Sequence, residues 1–162
     1  MGKLMRTLVL GLGNELLSDD AAGILAVRAL REEMAGRADV VESSMAGMAL
    51  LDVFLGYDAA VIVDAVCTGS KPVGTISELM PENLGRVLAP SPHYAGLPEM
   101  LALVDKLELD FPKKLTIFAV EVADPYTLGG DLTEEVAQAL GELRSRVRVQ
   151  VERWAQEEAD IA

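Results

Sequence analysis

Two hydrophobic patterns alternate along the chain. Residues 7–12 (TLVLGL) and 59–66 (AAVIVDAV) are almost uninterrupted apolar runs of strand length, as expected of strands buried on both faces. Residues 39–44, 75–79 and 115–122 read as three further strands. The fourth of the five follows the third after the short Gly69/Pro72/Gly74 turn, which predicts that it returns antiparallel to it. Apolar positions spaced by three and four predict helices between the strands. Residues 21–33 place Arg28, Arg31 and Glu32 on one polar face, and residues 47–55 form a second helix. Residues 97–107 carry a stripe of Leu97, Leu101 and Val104. The last helix starts near Thr133 with Val136, Leu140, Leu143, Val147, Val151 and Trp154 in line and Arg144, Arg146 and Arg148 solvated, and residues 157–162 are expected to fray.

Strands apolar on both faces that alternate with amphipathic helices require helices on both sides of the sheet. The predicted fold is therefore α/β: a three-layer α/β/α sandwich around a mostly parallel, five-stranded twisted sheet with one antiparallel strand. Residues 1–162 contain no linker, repeat or low-complexity tract and read as a single domain. In such sheets ligands sit beyond the carboxyl ends of the strands, where the strand order reverses.

Composition narrows the partners. With 26 acidic against 14 basic residues the net charge is −12, which excludes a generic nucleic-acid binder and argues against an anionic membrane surface. No eighteen-residue apolar stretch exists to span a membrane, and the apolar run after Lys3 and Arg6 is too short for a signal peptide. The single cysteine, Cys67, excludes a disulfide framework and a metal site built from four cysteines, and it suits a reducing, cytoplasmic setting. It is expected to be a small, partly buried apolar residue. The methionines are expected to fill the core, apart from Met45 and Met48, which flank a turn.

Three places carry candidate chemistry. The turn Gly11-Leu12-Gly13-Asn14-Glu15-Leu16 begins like a dinucleotide fingerprint, but Leu16 holds the third glycine position. Asp19 and Asp20 follow at a helix start, where a pyrophosphate needs backbone N–H groups free of negative charge. Ser18, Asp19 and Asp20 otherwise suit helix capping. Asp64 stands at the end of a strand buried on both faces, a costly place for a carboxylate without a partner or a metal, unless it caps the next turn. His93, the only histidine, precedes a helix in Ser91-Pro92-His93. A lone loop histidine is commonly a surface or capping residue. An imidazole with two carboxylates would also suit a borderline divalent ion such as Ni²⁺ or Zn²⁺ and leave coordination positions open. One histidine and one cysteine leave no Ser-His-Asp or Cys-His arrangement for covalent catalysis.

Taken in order, these residues resemble the hydrogenase maturation proteases, endopeptidases that process the large subunit of nickel–iron hydrogenases. The similarity covers roughly residues 8–136. It rests on Val9-Leu10-Gly11-Leu12-Gly13-Asn14, Leu16-Leu17-Ser18-Asp19-Asp20 with Gly23, Met45-Ala46-Gly47-Met48, Val61-Ile62-Val63-Asp64-Ala65, Ser91-Pro92-His93 and Pro112-Lys113-Lys114-Leu115-Thr116. Ser43-Ser44-Met45 departs from a common Gly-Gly-Thr, and Glu121-Val122 from a common Glu-Pro.

The resemblance implies that Asp20, Asp64 and His93 are both the metal ligands and the catalytic residues. It implies a hydrogenase large-subunit precursor as partner, whose C-terminal extension is removed after nickel insertion. The nickel would be supplied by the substrate, with Cd²⁺ or Zn²⁺ substituting in vitro and weak affinity in the isolated enzyme. Two alternatives stay open at this point: a non-catalytic nickel or hydrogenase assembly factor using the same trio, and a nucleotide-binding module on a doubly wound sheet.

Overall fold

A computed structural model of the chain describes residues 2–81 and 91–162. The five strands are β1 (Thr7–Leu12), β2 (Asp39–Ser43), β3 (Ala59–Val66), β4 (Ile76–Leu79) and β5 (Lys114–Glu121). They lie in one sheet in the order β2-β1-β3-β5-β4. The first three and β5 run parallel, and β4 runs antiparallel to β5. The return strand therefore has the expected direction, antiparallel to β3, although its hydrogen-bonded neighbour is β5. It skips over β5, which inserts between β3 and β4 and pairs Asp64 with Ala119 and Val66 with Glu121. Each of β3 and β5 offers eight residues to that pairing, against four in β4.

Alternation along the strands divides the core in two. Val9, Val61, Val63, Phe118 and Val120 face α1 (Ala22–Leu30) and α4 (Glu134–Ile161). Leu8, Leu10, Leu12, Ala60, Ile62, Val66 and Ile117 face α2 (Leu51–Phe54) and α3 (Leu97–Leu107). Both faces are covered, so the molecule has the three expected layers. Asp64 lies between Ile62 and Val66 in the two-residue period, which puts it on the α2/α3 face. Because β1 is followed by β2 on one side and by β3 on the other, the strand order reverses between β1 and β3.

Several local readings change. The first helix is shorter than the 21–33 pattern, beginning at Ala22 after a 3-10 turn (Ser18–Ala21) and ending at Leu30. Its N-terminus needs Gly23, because a Cβ there would sit 2.4 Å from the Val63 carbonyl oxygen and 2.6 Å from that of Leu12. The second helix is a 3-10 turn (Gly47–Leu50) followed by the single turn of α2. The last helix continues to Ile161 in place of the expected frayed end, with Lys114 bonded to Glu157 at 2.8 Å. Its stripe is core as expected, with Val136, Leu143, Val147, Val151 and Trp154 buried. Cys67 is exposed, not partly buried, because it lies one residue past the end of β3. Met45 and Met48 are exposed as expected, whereas Met34 and Met100 are fully buried. Among the described residues no helix is long and apolar enough to cross a membrane.

Candidate metal centre at the β1–β3 crevice

The segment after β1 is clamped before it reaches the site. The Ser18 backbone N–H donates to the Thr127 carbonyl at 2.9 Å, and the Ser18 hydroxyl donates to the Asp131 carbonyl at 2.8 Å. Asp19 is fully buried, and its carboxylate accepts the N–H groups of Ala123, Asp124 and Thr133. Neither Asp19 nor Asp20 caps the helix that follows: the 3-10 turn and α1 have no side-chain cap. Asp19 instead ties the start of α1 to the loop between β5 and α4. That role has no local signal, since its partners lie 104 to 114 residues away.

With Asp19 turned to that loop, its neighbour Asp20 turns to the crevice. Asp20 is buried, and its Oδ2 accepts the Asn14 N–H at 2.9 Å. The same bond occupies a turn N–H that a pyrophosphate would need, and Leu16 is exposed at the third glycine position. Asp64, with no exposed surface, accepts the Ala65 N–H through Oδ1 at 2.8 Å and the Ser91 hydroxyl through Oδ2 at 2.6 Å. His93 is carried by the short turn Pro92–Tyr94 and is 5% exposed. Its Nδ1 lies 3.0 Å from the Met45 carbonyl oxygen and its Nε2 lies 3.9 Å from Asp20 Oδ2.

The loops carrying Met45 and His93 meet at Gly47. A Cβ there would lie 2.0 Å from the Ala95 carbonyl oxygen, and φ is +51°, so this turn requires glycine. Met45-Ala46-Gly47-Met48 thus supports the histidine through a backbone carbonyl, a contribution invisible in a list of side chains.

One donor atom from each of Asp20, Asp64 and His93 lies within 4.8 Å of the other two. The three residues singled out along the sequence therefore converge, where β1 and β3 diverge. Burial drives the Asp64 carboxyl up to about 7, against the pull of His93 and Ser91. Burial alone would lower His93, but Asp20 and Asp64 outweigh it and raise the imidazole to about 9. His93 Nε2 is buried without a hydrogen-bond partner. A buried ring nitrogen beside Asp20, with Asp64 in the same cluster, is a donor set that could hold a divalent cation. Nδ1–H donation to a carbonyl leaves the Nε2 lone pair for it.

The buried Ser91 hydroxyl is a contributor that sequence reasoning misses, and the Ser91-Pro92-His93 spacing is the only signal that could have found it. Glu121, also buried, holds the Thr68 N–H at 2.7 Å and so fixes the loop that leaves β3.

The family model for hydrogenase maturation protease matches residues 24–150, a span that contains Asp64 and His93 and begins just after Asp20. Hydrogenase 2 maturation protease of Escherichia coli (strain K12) is 35% identical over 120 residues, covering 72% of this chain and 73% of that protein. Hydrogenase expression/formation protein HupD of Thiocapsa roseopersicina is 32% identical over 138 residues, covering 82% of this chain and 62% of that protein. Among solved structures, the hydrogenase maturating endopeptidase HybD from E. coli superposes with a TM-score of 0.76 at 29% identity, over 92% of this chain and 93% of that one. The [NiFe] hydrogenase maturation protease HybD from Thermococcus kodakarensis gives 0.72 at 25% identity, over 91% of this chain and 99% of that one.

Proposed function

The chain belongs to the hydrogenase maturation proteases, endopeptidases that act on hydrogenase large-subunit precursors, and on that premise we propose that it removes the C-terminal extension of a nickel-loaded precursor with Asp20, Asp64 and His93 as its working residues. The observation that carries this reading is the cluster of one donor atom each from buried Asp20, Asp64 and His93, all within 4.8 Å of one another, with His93 Nε2 making no hydrogen bond and lying 3.9 Å from Asp20 Oδ2. Three donors from three loops do not complete a coordination sphere. They suit an ion that arrives already held by ligands of the precursor. Nickel is then part of the substrate, and a precursor without it presents nothing for the trio to engage. Metal loading becomes the condition for cleavage. Cd²⁺ and Zn²⁺ have related ligand preferences and serve as probes of the same donors.

Hydrolysis requires a base for the attacking water and an acid for the departing amine. A carboxylate oxygen of the trio takes the water's proton as the water oxygen bonds to the scissile carbonyl carbon, then returns it to the amide nitrogen as the C–N bond breaks. The cytoplasmic setting expected from the single cysteine belongs to this reading too.

The test is mass spectrometry of a large-subunit precursor, loaded with nickel or left empty, after incubation with the wild-type protein, His93→Ala or Asp64→Asn. A new C-terminus is expected only with the loaded precursor and the wild-type protein. Stable complex formation without a new C-terminus would instead identify an assembly factor.

A further inference from the structure

One hydroxyl joins two members of the trio. Ser91 Oγ accepts the His93 backbone N–H at 3.2 Å and donates to Asp64 Oδ2 at 2.6 Å. Ser91 is 1% exposed and caps the turn Pro92–Tyr94. A hydroxyl has a single proton, and here it is committed to Asp64. The bond therefore runs from the end of β3 to the turn that carries the histidine, two segments 27 residues apart.

The carboxylate needs this restraint. The terminal torsion of an aspartate is broad, so position on a strand does not by itself set the plane of the carboxyl group. In Asp64 the Ala65 N–H holds Oδ1 and Ser91 holds Oδ2. Each oxygen keeps lone-pair capacity for an ion, with the plane of the group fixed. Resting on the reading of the trio given above, we propose that Ser91 is the positioning residue of the metal centre: its hydroxyl orients Asp64 and ties it to the His93 turn, so that both residues face the substrate's ion together.

A purely structural Ser91, serving only as the cap of its turn, would affect stability and leave the donors as they are. Titration with Cd²⁺ by calorimetry separates the two, applied to the wild type, His93→Ala, Ser91→Ala, Ser91→Thr and Ser91→Val, with thermal unfolding and the visible spectrum of the Co²⁺ form recorded for each. Ser91→Val has the shape of Ser91→Thr without the hydroxyl, and it decides the question should Ser91→Ala not fold. The expected result is one wild-type site lost in His93→Ala, weakened about 10–100-fold in Ser91→Ala and Ser91→Val, and restored towards wild type in Ser91→Thr, with the Co²⁺ spectrum altered in the weakened variants. Wild-type affinity and spectrum in the folded Ser91→Ala or Ser91→Val protein, with the site still lost in His93→Ala, would overturn the role of Ser91 alone. Binding unaffected by His93→Ala would overturn the reading of the trio and the Ser91 proposal with it.

Discussion

The Met45 carbonyl oxygen receives the Nδ1–H of His93 at 3.0 Å, so a main-chain atom of the loop after β2 sets which ring nitrogen faces Asp20. The loop can do this because Gly47 lets the two backbones touch. Gly47→Ala introduces a Cβ at 2.0 Å from the Ala95 carbonyl oxygen, at a φ of +51°. The expected cost is about 1–3 kcal/mol of stability, with weaker Cd²⁺ binding as the Met45 carbonyl withdraws. Urea unfolding and calorimetry on the same preparation check both. Unchanged Cd²⁺ affinity in the folded variant would detach the Met45 carbonyl from the site.

On the proposed reading, protons and a divalent ion compete for the trio. His93 is raised to about 9 and Asp64 to about 7, so near pH 7 the free protein holds protons that an ion must displace. Cd²⁺ affinity is expected to rise with pH from 6 to 8, about tenfold per unit for each proton released. Calorimetry in buffers of different ionisation enthalpy counts those protons directly. A flat affinity over this range is incompatible with the site as described.

The same shifts have a consequence for folding. Both groups have folded values above their unfolded ones, so each contributes stability that is present at low pH and lost as pH rises, Asp64 between about 3.8 and 7 and His93 between about 6.5 and 9. Asp64→Asn removes the first of these. The variant's unfolding midpoint relative to wild type should therefore move upward between about pH 3.8 and 7, while precursor cleavage falls by more than about 100-fold, the upper range for losing even an outer partner of a metal ligand. Urea titrations at several pH values together with a cleavage assay read both effects. A difference in midpoint that does not vary with pH would show that the buried carboxylate carries no strain of ionisation.

The sequence makes some of this legible for physical reasons and conceals the rest for others. β1 and β3 are recognisable because strands covered on both faces must be apolar throughout, and Asp64 is conspicuous as the exception in such a run. Asp20 and His93 can be singled out by residue type, but only the reversal of strand order between β1 and β3 brings them to Asp64. The neighbour of β4 is not readable, because hydrophobic period records which faces are buried and not which edges pair. The Met45 carbonyl is hidden for a simpler reason: every residue has one. Asp19 reads as a local cap because its true partners are distant loop amides.

Asp19 and Asp20 are adjacent, both buried, and opposite in purpose. Asp19 accepts the N–H groups of Ala123 at 3.1 Å, Asp124 at 2.9 Å and Thr133 at 2.7 Å, together with the Thr133 hydroxyl. Asp20 joins Asp64 and His93 in the cluster and accepts one N–H, from Asn14. Asp19→Ala leaves several donors in the β5–α4 loop without their acceptor, at an expected cost of about 3 kcal/mol or more. For a chain of this size that corresponds to a fall in Tm of roughly 6–12 °C. Cd²⁺ affinity per folded molecule should stay close to wild type. Asp20→Asn reverses the pattern, with Tm near wild type and Cd²⁺ binding lost. Differential scanning calorimetry and Cd²⁺ titration of the two variants side by side decide the matter. If Asp19→Ala lost the ion while keeping its Tm, the ligand would have been assigned to the wrong aspartate.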